Sequence, residues 1–182
     1  MPLRTKRYNF TDEIDRIADE IADLQARLDD LDEADGDTDQ AIKTVRGQIT
    51  WLEAQQRGAR WARDEAHLSA DEGGVVSWDH QVDSVELAGL TGGELARVSK
   101  EVTDPIPAVR RIHMVALGTE DAPFHDETAP YGDRVATVGD LPAAYIKWAY
   151  GRVDDLSTVG NSGGTASKHS PTATRSQTST NN

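Results

Sequence analysis

Six aliphatic residues constrain this chain more than any other feature of it. Ile14, Ile17, Ile21, Leu24, Leu28 and Leu31 follow one another at spacings of 3, 4, 3, 4 and 3. That period winds a narrow apolar stripe along one side of an α-helix, a shape suited to a coiled partner rather than to a broad core. Thr11 is the expected N-cap, with Asp12, Glu13 and Asp15 in the first turn, where the helix dipole favours anions. The segment from Glu33 to Asp39 breaks the pattern, and Gly36 can turn the chain there. The stripe then resumes at Ile42, Val45, Ile49 and Leu52 and continues through Ala59 towards Leu68.

A connection that short predicts an antiparallel coiled helical hairpin over residues 11–70. Two helices alone leave each with an uncovered flank. The hairpin therefore either self-associates through these ten seam residues or docks on another protein, or it closes within the chain and rests on the C-terminal domain. The pattern leaves these outcomes open.

The second helix also carries Trp51 and Trp61 among Arg57, Arg60 and Arg63, opposite an acid-rich first helix. One account pairs these arginines with aspartates across the hairpin, each exposed pair contributing roughly 0–1 kcal/mol. The sharper account makes Trp51, Arg57, Arg60 and Trp61 a partner-binding surface, since Trp and Arg are enriched at interface hot spots.

Asp71-Glu-Gly-Gly74 reads as a joint, followed by a small, mostly helical domain over residues 75–160. Val75–Trp78 and Val82–Leu87 suggest a short β-hairpin, with Val85 and Leu87 on one face and Ser84 and Glu86 on the other. Thr91-Gly-Gly-Glu94 has the spacing of a capping box, opening a helix to about Val102. A further helix spans 108–117, with Gly118 expected as its left-handed C′ residue. The segment 119–137 reads as a long loop, and a last helix capped by Asp140 carries Trp148, the other expected partner contact. Residues 1–10 form a basic arm and 161–182 a polar tail without apolar periodicity, expected to be disordered. The fold class is thus mainly α.

Composition narrows function chiefly by exclusion. A formal net charge of −13 disfavours phosphate neutralisation, so no nucleic-acid partner is expected. Asp supplies 21 of 32 acidic residues and Arg 14 of 19 basic ones, a balance that suits solubility in molar salt, where repulsion is screened within about 3 Å. A halophilic host or a generic acidic protein would both produce it. The chain has no cysteine, which removes disulfides, thiolate metal sites and cysteine nucleophiles. No apolar run is long enough to span a bilayer, and the basic N-terminus runs into Asp12-Glu13 without a signal-peptide core. A cytoplasmic protein without membrane contact is expected.

His125-Asp126-Glu127 offers metal-ligand types but no second His at helical spacing. His113 and His80 have no partnered nucleophile. The reading is therefore a non-enzyme with no catalytic, cofactor-binding or metal site and no cofactor.

Three stretches carry a resemblance: Val85-Glu-Leu-Ala-Gly-Leu-Thr-Gly-Gly-Glu94, Val115-Ala-Leu-Gly-Thr-Glu-Asp-Ala-Pro123, and Leu141-Pro142 with Trp148 and Val153-Asp-Asp-Leu156. They resemble the small tail-assembly-chaperone-like proteins of tailed viruses, at Leu90, Thr91, Glu94, Leu141, Pro142 and Trp148. The resemblance implies an all-helical module that binds a tape-measure protein and keeps it soluble in the host cytoplasm until the tail polymerises, and the Asp-rich composition would place such a virus in a halophilic archaeon. The N-terminal hairpin departs from that pattern. A minor virion structural or scaffolding protein, or a coiled-coil adaptor or regulator of a halophile, is the alternative.

Overall fold

In the computed structural model, residues 4–34, 38–68, 78–103 and 106–161 are described, with side chains up to Thr158. The expected turn at Gly36, the joint at Asp71–Gly74, the strand residues Val75–Ser77 and the tail 162–182 lie outside the described residues. The fold is mainly helical, with a small antiparallel sheet.

The chain opens with β1 (Thr5–Asn9), not with a free basic arm. β1 pairs antiparallel with β2 (Ser84–Ala88), from Thr5 opposite Ala88 to Asn9 opposite Ser84. β3 (Thr119–Asp121) lies on the other side of β2, so the expected two-stranded hairpin is a three-stranded sheet in the order β1-β2-β3. A register irregularity falls between Glu86 and Leu87. Alternation along β2 is as the sequence reads: Val85 and Leu87 are buried, while Ser84 and Glu86 are half-buried. On the outer face Arg7 spans all three strands, 2.9 Å from Glu86 and 2.6 Å from Asp121.

α1 (Phe10–Glu33) follows β1 directly, and Asn9 rather than Thr11 is its cap. The Asn9 Oδ1 accepts from the Thr11 and Asp12 amides at 2.9 and 3.2 Å, so the helix starts one residue before the expected cap. α2 (Asp39–Asp64) returns along α1, its Gln56 side chain donating to the Ile14 carbonyl at 3.2 Å. The seam is thereby closed within one chain. At the base of the hairpin Ile14, Ile17 and Leu52 are buried; towards the tip Val45 is buried, while Ile21, Leu24, Leu28, Leu31, Ile42 and Ile49 are half-buried.

α3 (Gly92–Glu101) carries the capping box in full, with the Thr91 hydroxyl accepting from the Glu94 amide and the Glu94 carboxylate accepting from the Thr91 amide. α4 (Pro107–Gly118) begins with Pro107 in its first turn. Gly118 ends α4 for a packing reason: a Cβ there would lie 2.6 Å from the Val153 side chain and 2.9 Å from the Ala88 carbonyl. The expected loop 119–137 instead holds β3 and α5 (Tyr131–Gly139). Asp140 closes α5, donating its amide to Ala136, and α6 (Ala143–Asn161) starts after Pro142.

α6 is the spine. Tyr145, Trp148, Ala149 and Val153 are fully buried on it, against α2, α4 and β2. α2 and α6 run antiparallel in close contact, since Gly58 meets the Ala144 backbone and Gln55 meets Gly151. Aromatic rings fill the centre: Trp148 lies 5.3 Å from Phe10 and 5.5 Å from Tyr145, and Tyr145 lies 5.7 Å from both Trp61 and Trp78.

Candidate docking surfaces on the hairpin

The structure separates the five residues that the sequence groups as a partner surface. Trp148 is 0 % exposed, so it is a core residue and not a contact for another protein. The reason is α6 itself, which is apolar on most of its circumference and enclosed on three sides. Trp61 is half-buried in the aromatic cluster, 5.5 Å from Trp78, and contributes to the core. Trp51 is half-buried on the α6 side of the hairpin, with the Arg111 guanidinium 4.8 Å and the Lys147 ammonium 5.9 Å from its ring. Arg57 and Arg60 are exposed. The five residues do not share a face.

Two surfaces result. The first is a stripe along the outer face of α2. Arg46, Thr50, Glu53, Arg57 and Arg60 are all exposed and recur at spacings of 4, 3, 4 and 3, which keeps them on one side of the helix. No ion pair crosses from α2 to α1 among the described residues, and the expected cross-hairpin attraction of Arg for Asp is seen there as the longer-range pull of Asp15 on Arg63. Arg63 pairs with its neighbour Asp64 at 2.7 Å. Arg46, Arg57 and Arg60 stand in solvent without an ion-pair partner among the described residues, a cationic line on a chain of net charge −13.

The second surface is an open groove of about 530 Å³ between α1, α2 and the C-terminal half of α6. Leu24, Trp51 and Leu52 supply its apolar lining. At its inner end lies a polar network that sequence reasoning missed. Glu13, only 5 % exposed, accepts from the Trp148 indole N–H at 3.2 Å. Its carboxylate lies 3.3 Å from Arg16 and 3.4 Å from the Arg152 Nε, and the Arg152 side chain is 11 % exposed. Arg152 also donates to the Gln55 Oε1 at 2.9 Å and reaches Asp155 at 3.3 Å. The Arg152 Nε makes an ion pair with Glu13 but no hydrogen bond, so attraction there is coulombic more than directional. Burial alone would lower the pKa of Arg16, yet its hydrogen bonds and proximity to Glu13 and Glu20 raise it. Burial raises that of Tyr150 on the groove wall. The available sequence signal was weak: Glu13 reads equally well as a first-turn dipole partner, a role that would leave it exposed.

Elsewhere the titratable groups serve the fold. The Asp126 carboxylate accepts from the Thr128 amide and hydroxyl at 2.8 and 2.6 Å, and burial lowers the pKa of the neighbouring His125. The His113 Nδ1 lies 2.6 Å from the Tyr131 hydroxyl. No group of three or more His, Cys, Asp or Glu among the described residues is placed to hold a metal ion. No helix among them is long and apolar enough to cross a membrane.

Comparison of the chain with protein-family models, with curated proteins and with solved structures finds no match.

Proposed function

We propose that this chain is a non-enzymatic assembly protein that acts by binding other proteins along its helical hairpin. The observation that carries this reading is the exposed line Arg46, Arg57 and Arg60 on α2, left without ion-pair partners among the described residues of a strongly acidic chain. Guanidinium groups at spacings of 11 and 3 on one helix face fit an acidic helix laid along α2, with forked hydrogen bonds to its carboxylates. The hairpin supports such a role mechanically, since its helices extend far beyond the part that the core needs.

The resemblance to tail-assembly-chaperone-like proteins supplies the narrower reading, a tail chaperone in a halophilic host whose partner is a long helix-rich tape-measure protein. The residues that carry the resemblance act in the fold: Thr91 and Glu94 cap α3, while Leu90, Leu141 and Trp148 are buried. They support a shared architecture more directly than a shared partner. A minor virion or scaffolding protein, or a coiled-coil adaptor, uses the same arginine line.

The test is co-purification of the tagged full-length chain from its own cells in molar salt, beside the Arg57→Glu/Arg60→Glu variant. An acidic, helix-rich protein recovered with the wild type and lost by about tenfold or more with the variant is the expected result. Equal recovery with both would overturn the surface. A tape-measure-like partner favours the chaperone, and presence of the chain in purified particles favours the structural protein.

A further inference from the structure

The backbone of β1 is satisfied on one side only. Gly89 donates its amide to the Arg4 carbonyl at 3.0 Å, and Phe10 donates to the Asp83 carbonyl at 2.9 Å. With Lys6 opposite Leu87 and Tyr8 opposite Val85, those two bonds fix the parity of the ladder. Lys6 and Tyr8 turn their amides and carbonyls towards β2, and Thr5 and Arg7 turn theirs the opposite way. β1 is an end strand of the sheet, so no further strand meets that side. Thr5 and Arg7 are exposed, and their backbone groups have no hydrogen bond among the described residues. The side chains along this edge are cationic. Arg7, on the outer face, is matched by Glu86 and Asp121. Arg4 and Lys6 alternate with it, are exposed, and have no ion-pair partner among the described residues. The Lys6 ammonium lies 4.7 Å from the centre of the Tyr8 ring.

We propose that the free edge of β1 takes up an extended acidic segment of another protein as a fourth strand, with carboxylates at alternate positions facing Arg4 and Lys6. Main-chain bonds to Thr5 and Arg7 attach the segment, and its alternate side chains decide which sequence is accepted. Lys6 forms a non-hydrogen-bonded pair with the incoming strand, the arrangement in which opposed side chains come closest, so an acid opposite it is favoured and a cation is not. That charge rule also turns away a second copy of this chain. Antiparallel self-pairing with Thr5 opposite Arg7 sets Lys6 against Lys6. Thr5 opposite Thr5 sets Lys6 against Arg4, and Arg7 opposite Arg7 brings two guanidinium groups together. Every one of these registers opposes like charges, which is how natural edge strands are kept from pairing with themselves. The site lies on the sheet and does not depend on the arginine line of α2.

Selection of a display library of short random peptides on the full-length chain tests it, with the Thr5→Pro variant as counter-target. Thr5→Pro removes an amide that points away from β2, so the ladder to β2 and the fold survive. The expected peptides carry Asp or Glu at alternate positions. They bind the wild type and lose about tenfold or more on Thr5→Pro, the worth of one hydrogen bond. Lys6→Glu, which opposes an acid to an acid, weakens them by a similar factor. On binding, the Thr5 and Arg7 amides gain protection from hydrogen exchange, whereas those of Lys6 and Tyr8, already bonded to β2, stay as they were. No enrichment over the counter-target, enrichment of basic sequences, unchanged exchange at Thr5 and Arg7, or a wild type that pairs with itself through β1 would each overturn the proposal. The Arg57→Glu/Arg60→Glu variant binds the peptides as the wild type does, so failure of the arginine line and failure of this edge are read separately.

Discussion

The base and the tip of the hairpin follow the same aliphatic repeat and meet different fates. At the base, Phe10, Ile14 and Ile17 of α1 and Leu52, Ala59 and Ala62 of α2 are buried, joined by Trp148 and Tyr145 of α6. At the tip, Leu24, Leu28, Leu31, Ile42 and Ile49 stay half-buried, and of the seam residues there Val45 alone is buried. Nothing in the spacing separates the two halves; a third helix does. A two-helix seam covers each side chain from one direction only, and α6 with the sheet behind it supplies the rest. The base is therefore seated on the core and the tip is held by the hairpin alone, while the arginine line on the outer face of α2 runs past both.

The contrast breaks most visibly through truncation of one residue from each half. Ile17→Ala removes a fully buried side chain of the core cluster and should cost about 4 kcal/mol. Leu31→Ala, half-exposed at the tip, should cost less than about 1 kcal/mol. Urea unfolding of the two variants checks the difference, and similar losses would mean that the tip is held as firmly as the base.

Two glycines on α2 sharpen the same contrast. A Cβ at Gly58 would lie 2.2 Å from the Ala144 carbonyl oxygen, so Gly58→Ala pushes α2 away from α6 and should cost about 3 kcal/mol. Gly47, at the tip, has nothing within 4 Å, so Gly47→Ala should stabilise by about 0.5–1 kcal/mol through helix propensity. Opposite signs for one substitution, 11 residues apart on one helix, are the expected outcome of thermal unfolding.

These elements also show what the sequence could and could not convey. The hairpin was legible because its signal is local and repeated, and the capping box of Thr91 and Glu94 because its two partners lie three residues apart. β1 was not, since Thr5–Asn9 becomes a strand only by pairing with Ser84–Ala88, and nothing within five residues marks that partner. The surface reading of Trp148 failed because it weighed residue type over position; the run Tyr145, Ile146, Trp148, Ala149 and Val153 leaves no wide polar face on α6. Arg57 and Arg60 were legible as candidates, but their separation from Trp51 depends on which side of α2 meets α6. The groove was not legible at all, being a product of where α6 stops covering the hairpin.

The smallest of the expected effects asks what joins base to spine. Glu13 on α1, Gln55 on α2 and Trp148 and Arg152 on α6 form a buried polar contact among three helices, for which the tip has no counterpart among the described residues. Glu13→Gln keeps an oxygen that can accept from the Trp148 indole but removes the charge facing Arg152. Because Asp155 still attracts Arg152, the loss should be about 2 kcal/mol, below the usual cost of stranding a buried charge. Arg152→Met alone should cost a similar amount by leaving Glu13 with Arg16 only. Combined, the two substitutions remove both charges, so the double variant should be less destabilised than the sum of the singles, with a coupling of about 1–2 kcal/mol. A urea double-mutant cycle measures that coupling. Strict additivity would mean that shape alone seats the hairpin on α6, and that the boundary between base and tip is drawn by the aromatic core without help from the buried charges.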